Sequence, residues 1–432
     1  MADVIEQDRD AIPADVAAAL VDPRTFADPA KIDAIFTTLR ATQPVARVVT
    51  PDFSPFWLIS KHDDVLEIER QPELFNNGEL STILAPKPML DAVQGLIGSP
   101  HLIRTLINMD GREHRVFRGL TQSWFMPGNV RKLEDRIRVI AKASVAKMLA
   151  TGGECDFVAD VALHYPLHVI MEILGVPPED EPRMLVLTQQ LFGARDPELT
   201  RSAAAINDSS AMLGMFQAVL GDFYAYFQKI SDDRRAHPRD DLASIIANAE
   251  VDGAPIADID ANAYYVLVAT AGHDTTSAST AGAMWALAER PDQLAKLKAD
   301  PSLIAGLVDE AIRWVTPVKH FMRTATQDYE LRGKTIRKGD WLMLAYLSAN
   351  RDEEAFGDPF EFRVDRVPNK QVAFGYGAHA CLGQHLARKE MRILMEELLP
   401  HLATVELAGE PAWSQSNFVG GPKRLPIRFT TA

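Results

Sequence analysis

Cysteine is nearly absent: the 432-residue chain has two, Cys155 and Cys381. Two thiols so far apart exclude a disulfide framework and suit a reducing compartment. No C-x-x-C pair occurs anywhere, which counts against a structural zinc site, because that needs four ligands and usually paired cysteines. No apolar run approaches the roughly 20 residues a membrane span requires. The N-terminus, MADVIEQDRDAIPADVAAAL, is acidic early and has no signal-peptide core. A soluble, cytoplasmic protein is expected. Basic residues are outnumbered, 45 against 59, for a net charge of −14. That balance repels phosphate and argues against general nucleic-acid binding. Internal repeats, low-complexity tracts and Gly/Ser linkers are missing too. One domain over residues 1–432 is therefore expected, with residues 1 to about 20 as a flexible N-terminal segment. Nothing demands more than a monomer.

What is present reads mostly as helix. A proline-free stretch runs from Asp258 to Arg290, with Asp258 as N-cap and Pro291 as terminator. At 1.5 Å per residue it would be roughly 45 Å long, and its nearly all-apolar first half fits a buried central helix. Strand signals are few. Residues 44–60 read as a hairpin, and 329–346 as a strand-rich zone with turns at Arg332-Gly333 and Lys338-Gly339. The fold class is mainly α with a minor β region.

Cys381 has a specific setting, FGYGAHACLG at residues 374–383. The glycines let the backbone turn sharply and approach something flat or bulky. Helical spacing follows at Leu382, Leu386, Met391, Leu394 and Leu398. The thiol thus ends a loop just before a helix, where backbone N–H groups and the helix dipole favour thiolate. Three readings compete: a buried structural cysteine, which suits Cys155; zinc held with His379 and His385; and a single thiolate binding iron from one side. The pattern F-G-x-G-x-H-x-C-L-G resembles the haem-binding loop of cytochromes P450 and matches it at every fixed position.

Other segments carry the same resemblance. LVDEAIRW contains Glu310-x-x-Arg313, one helical turn apart; alone it reads as a surface ion pair of little worth. The resemblance implies instead a structural Glu–Arg pair, joined by Arg366, that holds the cysteine loop. In ATAGHDTTSAST, spacing puts Leu267, Ala271, Asp274, Thr275 and Ala278 on one helical face. Gly272 costs about 1 kcal/mol against alanine there, and the threonines could simply back-bond to the previous turn. By resemblance this is the oxygen-binding groove, with Ala271 and Gly272 against the haem. Thr275 would then hold O2 and Asp274 relay protons. His114, Arg118, Arg323 and His379 match positions that bind the propionates of haem b, and Phe374, Gly375 and Gly383 match the loop around the thiolate.

The resemblance is strongest to soluble bacterial members acting on monoterpenes and small aromatic hydrocarbons. It implies a monooxygenase using O2 and two electrons from an iron–sulfur ferredoxin, itself fed by an NAD(P)H ferredoxin reductase. His385, Arg388, Lys389 and Arg392, with Arg112, Arg115, Arg131 and Lys132, offer a basic docking face on an acidic protein; singly each is an ordinary solvated charge. Leu267, Ala271, Phe321, Phe418 and Val419 are expected to line an apolar substrate pocket, with residues 76–107 as its variable lid. A larger lipid substrate, and a haem-thiolate sensor without oxygenase activity, are the alternatives. A peroxide-driven enzyme would lack the acid–alcohol pair Asp274-Thr275.

Overall fold

The computed structural model describes residues 9–200, 202–206 and 208–432. The helices framing the site are Gly111–Gln122 (α1), Glu134–Leu149 (α2), His164–Leu174 (α3), Glu181–Phe192 (α4), Ser209–Ala236 (α5), Asp258–Glu289 (α6), Ile304–Val315 (α7) and Gln384–Leu398 (α8). The proline-free stretch is thus one helix, α6, about 48 Å long at 1.5 Å per residue. Its interior is buried along nearly its whole length, so it forms the axis around which α3, α5 and α7 pack.

Both ends of α6 have a local cause. Asp258 is the first helical residue and not the cap; Ala257 takes the cap position without a side-chain hydrogen bond. The Asp258 carboxylate instead accepts Nη1 of Arg235 from α5 at 2.6 Å, a partner distant in sequence. Asp258 and Asp260 still place negative charge at the positive end of the helix dipole. At the other end, the residue before a proline is driven from the helical region. Arg290 accordingly has φ −130° and ψ 75°, and Pro291 opens the next helix.

Glycine lets the helices approach. A Cβ on Gly272 would lie 2.8 Å from Cγ1 of Ile170 on α3, and one on Gly282 would run into Val315 at the end of α7. Gly272, costly to the helix, is therefore explained in part by this crossing.

The minor sheet has strands Val45–Thr50 (β1), Phe53–Ile59 (β2), Phe75–Asn76 (β3), Phe321–Ala325 (β4) and Trp341–Leu344 (β5), in the order β1-β2-β5-β4-β3. β5 runs parallel to β2 and the other pairs are antiparallel. The hairpin over 44–60 is present. So are the turns of the second strand zone, with positive φ at Arg332, Gly333 and Gly339. A smaller sheet joins Glu154–Asp156, Leu402–Leu407 and Pro426–Thr431. It carries Cys155, whose thiol burial pushes up to about 12.

The segment expected to be flexible is not so throughout. Residues 1–8 lie outside the described residues, but Ile12 N–H donates to the carbonyl of Arg47 on edge strand β1 at 3.0 Å. Ala14–Val21 then forms a helix with Ala17, Leu20 and Val21 buried. Apolar residues at i, i+3 and i+4 give that short helix one face to bury.

Beneath the cysteine loop lies a buried ionic network. Glu310 and Arg313 on α7 have fully buried side chains, joined by two hydrogen bonds of 2.7 and 2.8 Å. Arg366 Nε adds contacts of 3.0 Å to both Glu310 oxygens. Burial alone would push the Glu310 pKa up; the hydrogen bond and charge of Arg313, with Arg366, outweigh it and hold the carboxyl below its ordinary value. Arg313 also donates to the carbonyls of Asn350 and Pro359 at 2.9 Å. The Asn350 side chain in turn accepts Val372 N–H at 2.8 Å, and the Val372 carbonyl accepts Gly375 N–H at 2.9 Å. The charge pair is thereby connected to the first turn of the cysteine loop.

Arg313→Leu leaves Glu310 buried without its fork, a loss of about 3–5 kcal/mol. Guanidinium unfolding should show a correspondingly lower midpoint. Arg313→Lys should not restore it, since one ammonium cannot reach both Glu310 and two carbonyls.

Candidate active site

The loop of residues 374–383 closes on itself. Cys381 N–H donates to the Phe374 carbonyl at 2.7 Å and Ala380 N–H to that of Gly377 at 3.2 Å. Gly375 and Gly377 both take positive φ, 65° and 68°, which their lack of a side chain permits. Phe374 lies under the Arg388 guanidinium, 4.4 Å from its ring centroid, and Arg388 pairs with Asp309 of α7 at 2.8 Å. Gly383 then precedes α8.

Cys381 faces a cavity of about 240 Å³. Cys381 is exposed to this cavity, and the protein packed around it pushes the thiol pKa up. Backbone N–H groups of Gly383 and Gln384, with Arg118 and Arg388, oppose that rise without cancelling it. The loop therefore supplies the donors for a thiolate, yet a full thiolate needs a further positive charge in the cavity. Among the described residues no group of three His, Cys, Asp or Glu side chains is placed to hold a metal ion.

His114, Arg118, Arg323 and His379 all line this cavity. The two imidazole rings lie 4.1 Å apart between centroids. Burial, then the charge of Arg323, depresses the His379 pKa to about 2, and burial depresses that of His114. Arg118 Nη2 donates to the Ala380 carbonyl at 2.8 Å. Arg323 Nη1 donates to the Met322 carbonyl at 2.9 Å. Each guanidinium keeps further N–H groups for a ligand carboxylate.

From α6, Leu267, Ala271, Gly272 and Thr275 reach the cavity, joined by Val268, Thr276 and Ser279. Asp274 and Ala278 do not, contrary to the face drawn from spacing. The stripe climbs in steps of four, 267-271-275-279, which turns 274 and 278 aside. Ala278 lies against Gly421. Asp274 Oδ2 turns toward His273, 3.3 Å from Nδ1, and makes no hydrogen bond. The Thr275 hydroxyl donates to the Ala271 carbonyl at 2.9 Å, the back-bond that spacing allowed. Phe321 lines the cavity, but Phe418 and Val419 stand one layer behind it. Phe418 packs edge-on against Phe321, 5.5 Å between centroids, and Val419 bridges to Val318.

Several cavity residues escaped the sequence reading, among them a buried acid. Glu390 on α8 is 2% exposed, stands beside Thr276, and is pushed by burial well above the usual carboxylate range. Its signal was available: an acid between Leu386 and Leu394 on the apolar stripe of α8.

The comparisons agree with this geometry. The Cytochrome P450 family profile matches residues 91–417. Cytochrome P450-terp of Pseudomonas sp is 50% identical over 427 residues, covering 98% of this chain and 99% of that protein. Linalool 8-monooxygenase of Pseudomonas putida is 32% identical, covering 91% and 94%. The crystal structure of CYP108D1 from Novosphingobium aromaticivorans superposes with a TM-score of 0.90 at 46% identity, covering 98% of this chain and all of that one. The chain belongs to the cytochrome P450 family, and it has the single-domain fold and the haem-thiolate monooxygenase character of that family.

The residues present fit haem. A cysteine sulfur with N–H donors waits for a cation, and nearby stand guanidinium donors suited to carboxylates. Cys381→Ser should leave the fold intact and abolish the normal thiolate spectrum of the ferrous carbon monoxide complex; a normal spectrum in that variant would remove Cys381 as ligand.

Proposed function

We propose that this P450 hydroxylates a compact, uncharged hydrocarbon, a monoterpene or small aromatic, with electrons from an acidic iron–sulfur ferredoxin. The observation carrying the reading is the shared cavity: Cys381 and Thr275 line it together with apolar Leu267, Val268, Ala271 and Phe321. Bound haem, ligated by Cys381, supplies the oxygen chemistry; the chain supplies position, dryness and protons. His114, Arg118, Arg323 and His379, which line the cavity, would hold the haem propionates. Thr275 turns its hydroxyl from the Ala271 carbonyl to O2, and Asp274, 15% exposed at its side chain, passes protons to it from the solvent side. Relatives named for terpene chemistry, Cytochrome P450-terp and linalool 8-monooxygenase, support the substrate class.

The electron donor is drawn to the basic residues of α1, of the turn just before α2 and of α8, though the face is partly neutralised. Arg112 pairs with Asp252, Arg388 with Asp309, Lys389 with Glu134 and Arg392 with Glu396. Arg115, Arg131 and Lys132 are exposed and form no ion pair among the described residues, so they carry most of the steering. Among the described residues no helix is long and apolar enough to cross a membrane.

Optical titration of the ferric protein tests the substrate class: monoterpenes and alkylbenzenes should give a low-to-high-spin shift and fatty acids none. A shift with fatty acids alone would overturn it. Thr275→Ala should keep haem and substrate binding but divert most reducing equivalents to peroxide. Coupling equal to the parent's would remove Thr275 and Asp274 from the proton path.

A further inference from the structure

A buried acid outside the recognised motifs stands where the parts of the site meet. Glu69 ends the helix His62–Glu69, and its side chain is 1% exposed. Oε1 accepts the Tyr346 hydroxyl at 2.5 Å and Arg323 Nη2 at 3.2 Å. The backbone N–H of Tyr376 faces this carboxyl and lowers its pKa slightly. Arg323 and Tyr346 line the cavity, whereas Tyr376 sits in the cysteine loop between two left-handed glycines. Those glycines admit the acid: a Cβ on Gly375 would lie 3.2 Å from Glu69 Oε1, and one on Gly377 would strike the Glu69 carbonyl. The other carboxyl oxygen, Oε2, has no hydrogen-bond partner. A buried, half-satisfied carboxyl is costly, and packing alone does not account for it.

We propose that Glu69 is a positioning residue for the haem: one carboxyl group fixes the Arg323 guanidinium in the cavity wall and the Cys381 loop at Tyr376, and its negative charge holds the iron potential down. The proposal rests on the haem-thiolate assignment. Arg323 is gripped from two sides, by Glu69 and by the Met322 carbonyl, which leaves its remaining N–H groups aimed for a haem carboxylate. The same Glu69 carboxyl reaches the loop, so the arm that holds the propionate and the loop that carries the sulfur share one anchor.

Glu69→Gln and Glu69→Ala in the haem-loaded protein separate charge from hydrogen bonding. The Gln variant keeps an acceptor for Tyr346 and Arg323, so its haem loss to apomyoglobin should stay within about threefold of the parent. Its reduction potential should be more positive, because an anion near the iron is gone. The Ala variant, lacking the charge-assisted bond, should lose haem about tenfold faster and show more displaced-thiolate spectrum with carbon monoxide. pH gives an independent readout. Burial raises the Glu69 pKa against the opposing charge of Arg323 and the hydrogen bond from Tyr346. As pH falls through that raised value, protonation removes the anion, and the parent's potential should climb; the Gln variant should lack this step. The groups facing Glu69 are Arg323, Tyr346, Tyr376 and, over the Tyr376 ring, Arg70. These, with His114 and His379 in the cavity, are common to both proteins, so the difference isolates Glu69. Tyr346→Phe, which strips one donor from the carboxyl, should move the step to higher pH. Equal potentials in parent and Gln variant at every pH would overturn the charge role, and parental haem retention in the Ala variant would overturn the anchor. A parent protein without a thiolate spectrum would sink the haem assignment itself, a separate failure.

Discussion

Everything in this site depends on keeping an anionic sulfur inside protein. Burial opposes that charge, and the fold answers with dipoles and cations arranged at several distances. The N–H groups of Gly383 and Gln384 point at the sulfur, Arg118 and Arg388 stand nearby, and the final positive charge comes with the cofactor. A loop holding such a charge cannot be soft. It is closed by its own backbone bonds, tied through Asn350 to the Arg313–Glu310 network, and pinned through Phe374 and Arg388 to α7. The ionic network is therefore a foundation, and its cost in desolvation is met by the forks of Arg313 and Arg366.

The distal half follows a different logic. There three hydroxyls of the buried helix α6, those of Thr270, Thr275 and Ser279, each donate to a carbonyl within the helix. Such hydroxyls can exchange an internal acceptor for a ligand without leaving a buried group unpaired. Glu390 lines the same cavity beside Thr276, its carboxyl pushed by burial above the usual range. Thr275 can thus trade partners at small cost.

Much of this was legible in the sequence because the chemistry is concentrated in short motifs. Ten residues around Cys381 specify the loop, and a proline-free apolar stretch specifies α6. What escaped depends on partners far along the chain. Asp258 reads as a cap until Arg235 arrives from α5. Asp274 and Ala278 share a nominal face with Thr275, but the stripe lining the cavity advances in steps of four and leaves them aside. Phe418 and Val419 lie in the right turn, one layer too deep. Glu69 carries no motif at all; only the meeting of its helix with β4 and the cysteine loop gives it Arg323 and Tyr376. Spacing reports neighbours on one element, and these cases are all settled between elements.

The crossing of α6 over α3 has one more consequence. Ile170 touches Gly272 and also lines the cavity, so the seat of the oxygen-side helix and the headroom above the bound molecule are set by the same pair. Bulk added at 272 would lift the ceiling, and bulk removed at 170 would let it settle or leave a notch. These two positions work as a caliper, through which a lineage with this architecture could trade one molecular shape for another without altering any residue that handles electrons or protons.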